Sequence, residues 1–117
     1  MKNFTMSRTF LGCNITAQVT VLDEGIHALV AGGHHPHIGA VGIVDPAGNC
    51  TMVEFPNHQE SAVCQQWTSA LSAAGFLPAV VEAGIHYDSL DRDGICAVLA
   101  LTKDLLESTL HRLEQGC

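Results

Sequence analysis

The chain has 117 residues, 47% of them apolar, and a formal charge of −7. A chain of this size buries roughly two-thirds of its unfolded surface, so a single domain over residues 1–117 can fold without disulfides or metal. With only five lysines and arginines against twelve acids, nucleic acid and anionic membranes are disfavoured as partners.

Residues 1–12 have mixed polarity and no clear period, and read as a lead-in with room for a short edge strand. From Ile15 to Leu22, Ile15, Ala17, Val19 and Val21 alternate with Thr16, Gln18 and Thr20, the pattern of a half-buried antiparallel strand. Asp23-Glu24-Gly25 is a turn. Ile26 to Ala31 is apolar on both faces and therefore a more central strand. A loop dense in glycine and histidine follows, Gly32-Gly33-His34-His35-Pro36-His37, and a third strand runs from Ile38 to Val44.

Asp45-Pro46-Ala47-Gly48-Asn49 closes a hairpin onto a fourth strand, Cys50 to Phe55. Asn57 and Glu60 have the spacing of a capping box. The helix behind them carries Val63, Trp67, Ala70, Leu71 and Ala74 on one stripe and stops at Gly75. Leu77 to Ile85 is a fifth strand. A last helix, beginning at Leu90 or Gly94 and ending at Glu114, repeats Ile95, Val98, Leu101, Leu105, Leu106, Leu110 and Leu113 at helical spacing. The order β-β-β-β-α-β-α predicts an α+β fold, a mainly antiparallel sheet with both helices packed on one face.

The five cysteines form no C-x-x-C pair and are odd in number, which fits neither a zinc knuckle nor a secreted disulfide framework. They read mostly as small buried hydrophobes in a reducing cytoplasm. No signal-type segment and no membrane-length apolar run occurs.

Seven histidines outnumber the permanent cations. Pro36 stiffens the loop that bears three of them. Gly39 and Gly42 interrupt an apolar strand, as glycines do where something approaches the backbone closely. His37 at a strand mouth, His58 at a helix start near Glu60, and His86 near a strand end are three imidazoles that can converge on one divalent metal: zinc, iron, manganese or nickel. An extended fifth strand puts Glu82, His86 and Asp88 on one face, with Asp88 as a ligand or as the partner of the His86 ring. Each histidine also has an ordinary reading: His27 and His111 on the surface, His34 and His35 facing solvent, His58 at a helix start, His86 as a hydrogen-bonded imidazole. Neither a nucleotide-binding glycine motif nor a serine elbow is present.

Gly32-Gly33 with Pro36-His37-Ile38-Gly39-Ala40-Val41, then His58-Gln59-Glu60, then Ala83-Gly84-Ile85-His86-Tyr87-Asp88 resembles the LpdD-like prenylated-flavin chaperones, the small D subunits of gallate-type decarboxylase systems. The resemblance implies an accessory protein that binds prenylated FMN and assists its oxidative maturation or its delivery to the large subunit of a UbiD-type decarboxylase. It carries cofactor binding onto Gly33, His37, Gly39 and Gly84, and a metal onto His37, His58, Glu60, His86 and Asp88. An acidic residue commonly stands in that family where this chain has His34. A histidine-held divalent ion would supply the positive charge that a flavin phosphate needs and an acidic chain lacks. Two rival readings are a free-standing metal-dependent enzyme on a small anionic substrate, with Glu60 as general base, and a non-catalytic structural subunit of a decarboxylase complex. A homo-oligomer is compatible with all three.

Overall fold

Period-two alternation builds a sheet that the helices cover from one side. The computed structural model describes residues 1–55 and 61–116. β1 (Lys2–Phe10) turns into β2 (Cys13–Val21), which turns at Asp23–Gly25 into β3 (Ile26–Gly33). β4 (Ala40–Val44) and β5 (Cys50–Glu54) form a hairpin, α1 (Ser61–Ala73) follows, then β6 (Ala79–His86) and α2 (Arg92–Glu114). The sheet order is β1-β2-β3-β6-β4-β5, with β3 and β6 parallel and the remaining neighbours antiparallel. The α+β architecture expected from the sequence is therefore present, with one strand more than expected.

That extra strand is β1, nine residues long and paired along its whole length with β2. Its alternation is masked by Arg8, which shares a face with Phe4, Met6 and Phe10 but reaches α2, where Arg8 Nε meets Asp104 Oδ2 at 2.8 Å. The β1–β2 turn hides too. Leu11 and Gly12 both take positive φ, 51° and 76°, the conformation of a primed hairpin turn that asparagine–glycine normally announces.

α1 packs on β4, β5 and β6, and α2 on β1 and β2. Val63, Cys64, Trp67, Thr68 and Leu71 are the buried side of α1, whereas Ala74 lies beyond the helix end and is exposed. Gly42 is explained by this packing, since a Cβ there would come within 2.8 Å of Thr68 Cγ2. Asp91 caps α2, its carboxylate accepting from Gly94 N–H at 2.7 Å. Ile95, expected in the α2 core stripe, is 50% exposed; the helix starts beyond the part of the sheet it covers. Among the described cysteines, the expected burial holds for Cys64 only, since Cys50 and Cys96 are exposed and Cys13 is half-buried. The expected cap at Asn57 and the pair His58 and Glu60 lie outside the described residues.

The face turned away from the helices has two characters. Register aligns Asn3, Thr20, His27, Val80, Ile43 and Thr51 in one row, and Thr5, Gln18, Leu29, Glu82, Val41 and Val53 in the next. The β1–β2 part is polar and knitted together: Ser7 and Thr16 hydroxyls at 2.8 Å, Thr20 donating to Asn3 at 2.7 Å. The β3-β6-β4-β5 part is mostly aliphatic.

Candidate functional site

The strand order dictates where the histidine loop must run. β3 and β4 are consecutive in sequence but lie on opposite sides of β6, so residues 34–39 have to cross the carboxyl end of β6. The loop is tied down as it crosses. His34 N–H donates to the His86 carbonyl at 2.7 Å, His37 N–H to Gly84 O at 3.4 Å and Gly39 N–H to Ala83 O at 2.9 Å. The two glycines beneath are required by this crossing. A Cβ at Gly84 would overlap the His37 carbonyl, and one at Gly33, where φ is +81°, would overlap the carbonyl of His86. What approaches these glycines closely is the chain itself.

The crossing gathers imidazoles at the carboxyl ends of the parallel pair, the end at which α/β sheets present ligand sites. His86 Nε2–H donates to Asp88 Oδ1 at 3.0 Å, and the His35 and His86 rings lie 5.4 Å apart. Asp88 N–H donates to His34 Nδ1 at 3.0 Å. That nitrogen also lies 3.6 Å from Asp88 Oδ2, but a nitrogen accepting a hydrogen bond carries no proton, so the pair is not an ion pair in this arrangement. The His86 hydrogen bond and, when the rings are protonated, the weaker charges of His34, His35 and His86 lower the Asp88 carboxyl below its usual range. Tyr87 anchors the cluster from below. Its ring meets His34 edge-on at 5.3 Å and Phe10 at 5.4 Å, and its hydroxyl donates to Phe10 O at 2.9 Å. Burial, and then nearby Cys13, raises the Tyr87 hydroxyl above its ordinary value.

Beside the loop, on the outer face of β2 and β3, is an open depression of about 500 Å³ lined by Asn14, Thr16, Gln18, Leu29, Gly33 and Pro36 among others. That volume lies within the usual range for small-molecule sites. A larger groove of about 620 Å³ between α1 and β4–β5 is lined by Cys50 and otherwise by non-titratable side chains. The smaller depression is likewise lined by a single titratable side chain, Cys13, but through Gly33 and Pro36 it adjoins the histidine crossing.

A family model described as the prenylated flavin chaperone LpdD-like domain matches residues 9–114. The chain belongs to the LpdD-like family. Among solved structures, a chain from the "Crystal Structure of a Novel Chaperone Complex for Yeast 20S Proteasome Assembly" matches with a TM-score of 0.51 at 17% identity, covering 94% of this chain and 99% of that one. At that identity the likeness concerns the fold alone. No curated protein matches significantly.

In this LpdD-like chain the residues singled out from sequence fall into three groups. His86 and Asp88 are directly bonded. Gly33, His37, Gly39 and Gly84 form the crossing itself, and His37 Nδ1–H donates to the His35 carbonyl at 2.8 Å. His58 and Glu60 lie outside the described residues. Among the described residues, no group of three or more His, Cys, Asp or Glu side chains could hold a metal ion. The loop amides His34 N–H, His37 N–H and Gly39 N–H are spent on β6 carbonyls, which leaves imidazole N–H groups as the donors for a phosphate. The residue types present suit a flavin: imidazoles at the crossing for a phosphate and, in the depression beside it, amides and hydroxyls with an aliphatic wall at Leu29 and Pro36. His34, His35 and Tyr87 were not assigned roles by the sequence. Their signal was present, since a strand returning after a helix can insert in parallel beside an earlier one. Glu82 is not part of the cluster; it accepts from His27 Nε2–H at 2.5 Å farther along the sheet.

Proposed function

We propose that this chain is an accessory protein that binds prenylated FMN at the histidine crossing and assists its oxidative maturation or its delivery to a UbiD-type decarboxylase. The observation that carries the reading is the union of His34, His35, His86 and Asp88 at one end of β3 and β6, next to an open depression, in a chain of the LpdD-like family. The flavin, when bound, supplies the redox chemistry. The protein's own residues do the rest. The imidazoles offer N–H donors and, when protonated, positive charge that a chain of net charge −7 lacks elsewhere. Asp88 fixes His86 through Nε2 and, through its main-chain N–H, fixes His34. The depression is open to solvent, which suits a ligand that is handed on.

Among the described residues no group could hold the expected divalent metal; His58 and Glu60, two of its five expected ligands, lie outside them, as does the general base of the rival metal-dependent enzyme, and the flavin reading rests on the imidazoles alone. Mixing the protein with reduced prenylated FMN, desalting, and recording the visible spectrum tests the reading. Retention near one flavin per chain is expected without added metal; no retention with or without divalent metal overturns it. Turnover of a small anionic substrate by the protein without any partner would favour the rival enzyme.

A further inference from the structure

We propose, resting on the flavin reading above, that Gln18 and Glu82 recognise the pyrimidine edge of the flavin ring and that His27 positions Glu82 for it. The ligand then lies along β3 with its phosphate at the histidine crossing. A gap in a ladder of hydrogen bonds points to this. On the outer face of β1 and β2, Thr9 bonds Asn14, Ser7 bonds Thr16 and Thr20 bonds Asn3, each with the residue directly opposite. Thr5 and Gln18 are opposite each other in the same ladder. Yet the exposed Gln18 carboxamide bonds no other described residue.

Gln18 stands at the end of the open depression away from the crossing. Gly33 and Pro36 line one end, Gln18 and Leu29 the other, and four residues of β3 span roughly 13 Å. A ribityl chain extended from a phosphate at the imidazoles brings the flavin ring over Leu29. Register puts Glu82 in the same row, beside Leu29 and on the side away from Gln18. The two polar groups are thus two strand spacings apart, roughly 10 Å, with Leu29 as the floor between them. Glu82 is half-buried; one carboxylate oxygen accepts from His27 Nε2–H at 2.5 Å, and the other bonds no described residue. The pyrimidine edge of a flavin presents an N3–H between two carbonyl oxygens. A carboxylate that only accepts and an amide that can donate match that order: Glu82 accepts from N3–H, and Gln18 Nε2–H donates to a neighbouring carbonyl. Charge sets the direction. A phosphate at this end would face Glu82, whereas at the crossing it faces imidazoles.

Reduced prenylated FMN carrying nitrogen-15 at N3 tests this by retention after desalting and by the N3–H signal in NMR. In the wild-type complex the N3 proton is expected to exchange with water more slowly than in free ligand. Glu82→Ala and Gln18→Leu should each weaken retention about tenfold, and Glu82→Ala should return N3–H exchange to the free rate. His27→Ala should weaken retention less, and His27→Gln, which keeps an N–H for Glu82, should restore it. Asn3→Ala, outside the depression, should leave retention unchanged. If Glu82→Ala does not fold by circular dichroism, Gln18→Leu at its exposed position decides. A wild type that retains flavin with N3–H exchanging as in free ligand overturns the inference and leaves the flavin reading standing. Unchanged retention in either folded variant does the same. A wild type that retains no flavin overturns both.

Discussion

Asp45 and Asp88 stand just past the ends of β4 and β6, and both carboxyls are held below the ordinary carboxylate range, by different donors. Asp45 is held chiefly by Asn49. Its carboxylate accepts from the main-chain N–H groups of Ala47 and Asn49, each at 2.9 Å, and from Asn49 Nδ2 at 3.1 Å, all within its own turn. Asp88 is held chiefly by the His86 ring, with His34 and His35 adding charge. A lowered carboxyl is thus a poor guide to function by itself. What matters is whether the donors are permanent amides that shape a turn or rings that can gain and lose protons.

The largest effect that would test this contrast comes from beneath the crossing. Gly84→Ala forces a methyl into the His37 carbonyl, and a loss of about 3 kcal/mol or more is expected, seen as a melting temperature lower by roughly 10 °C. An unchanged melting curve would mean that the loop does not sit on β6 as described. Next, His86→Ala should cut retention of reduced prenylated FMN at least about tenfold while the melting temperature barely moves. Asp45→Ala should do the reverse, lowering the melting temperature modestly and leaving flavin retention intact; equal effects of both variants on retention would erase the distinction. The smallest effect concerns pH. Both folded-state values are depressed, so the stabilisation from each aspartate is fully present above the ordinary value of 3.8 and is lost as pH falls through the folded value. His86→Ala should move the Asp88 carboxyl titration upward in a carbon-detected NMR experiment and leave that of Asp45 where it is.

Much of the fold was legible because local pattern and global arrangement agree. Five of the strands show their alternation or apolar runs, the Asp45–Asn49 turn has the residues such turns demand, and Gly75 marks the end of α1 with φ +82°. β1 was hidden by one inward arginine and a turn without asparagine. The α2 stripe was overextended to Ile95 because helical period says which side is apolar, not how far the neighbouring sheet reaches. At the site, the sequence singled out Gly33, Gly84, His37 and His86, which the structure gathers at one crossing, the two glycines against the chain's own backbone. It did not show which rings meet, because that depends on β6 entering between two strands that precede it.

β6 occupies a gap between β3 and β4 that stays open until most of the polypeptide has been made. Its pairing with β3 joins Ile26 to Ala79 and Gly33 to His86, contacts far apart in sequence and therefore slow to form. Until that strand is seated, the histidine segment has no carbonyls to rest on and His86 and Asp88 are nowhere near it. A nascent or half-assembled molecule consequently lacks the histidine crossing, so on the function proposed above a flavin would be taken up only by a finished chain.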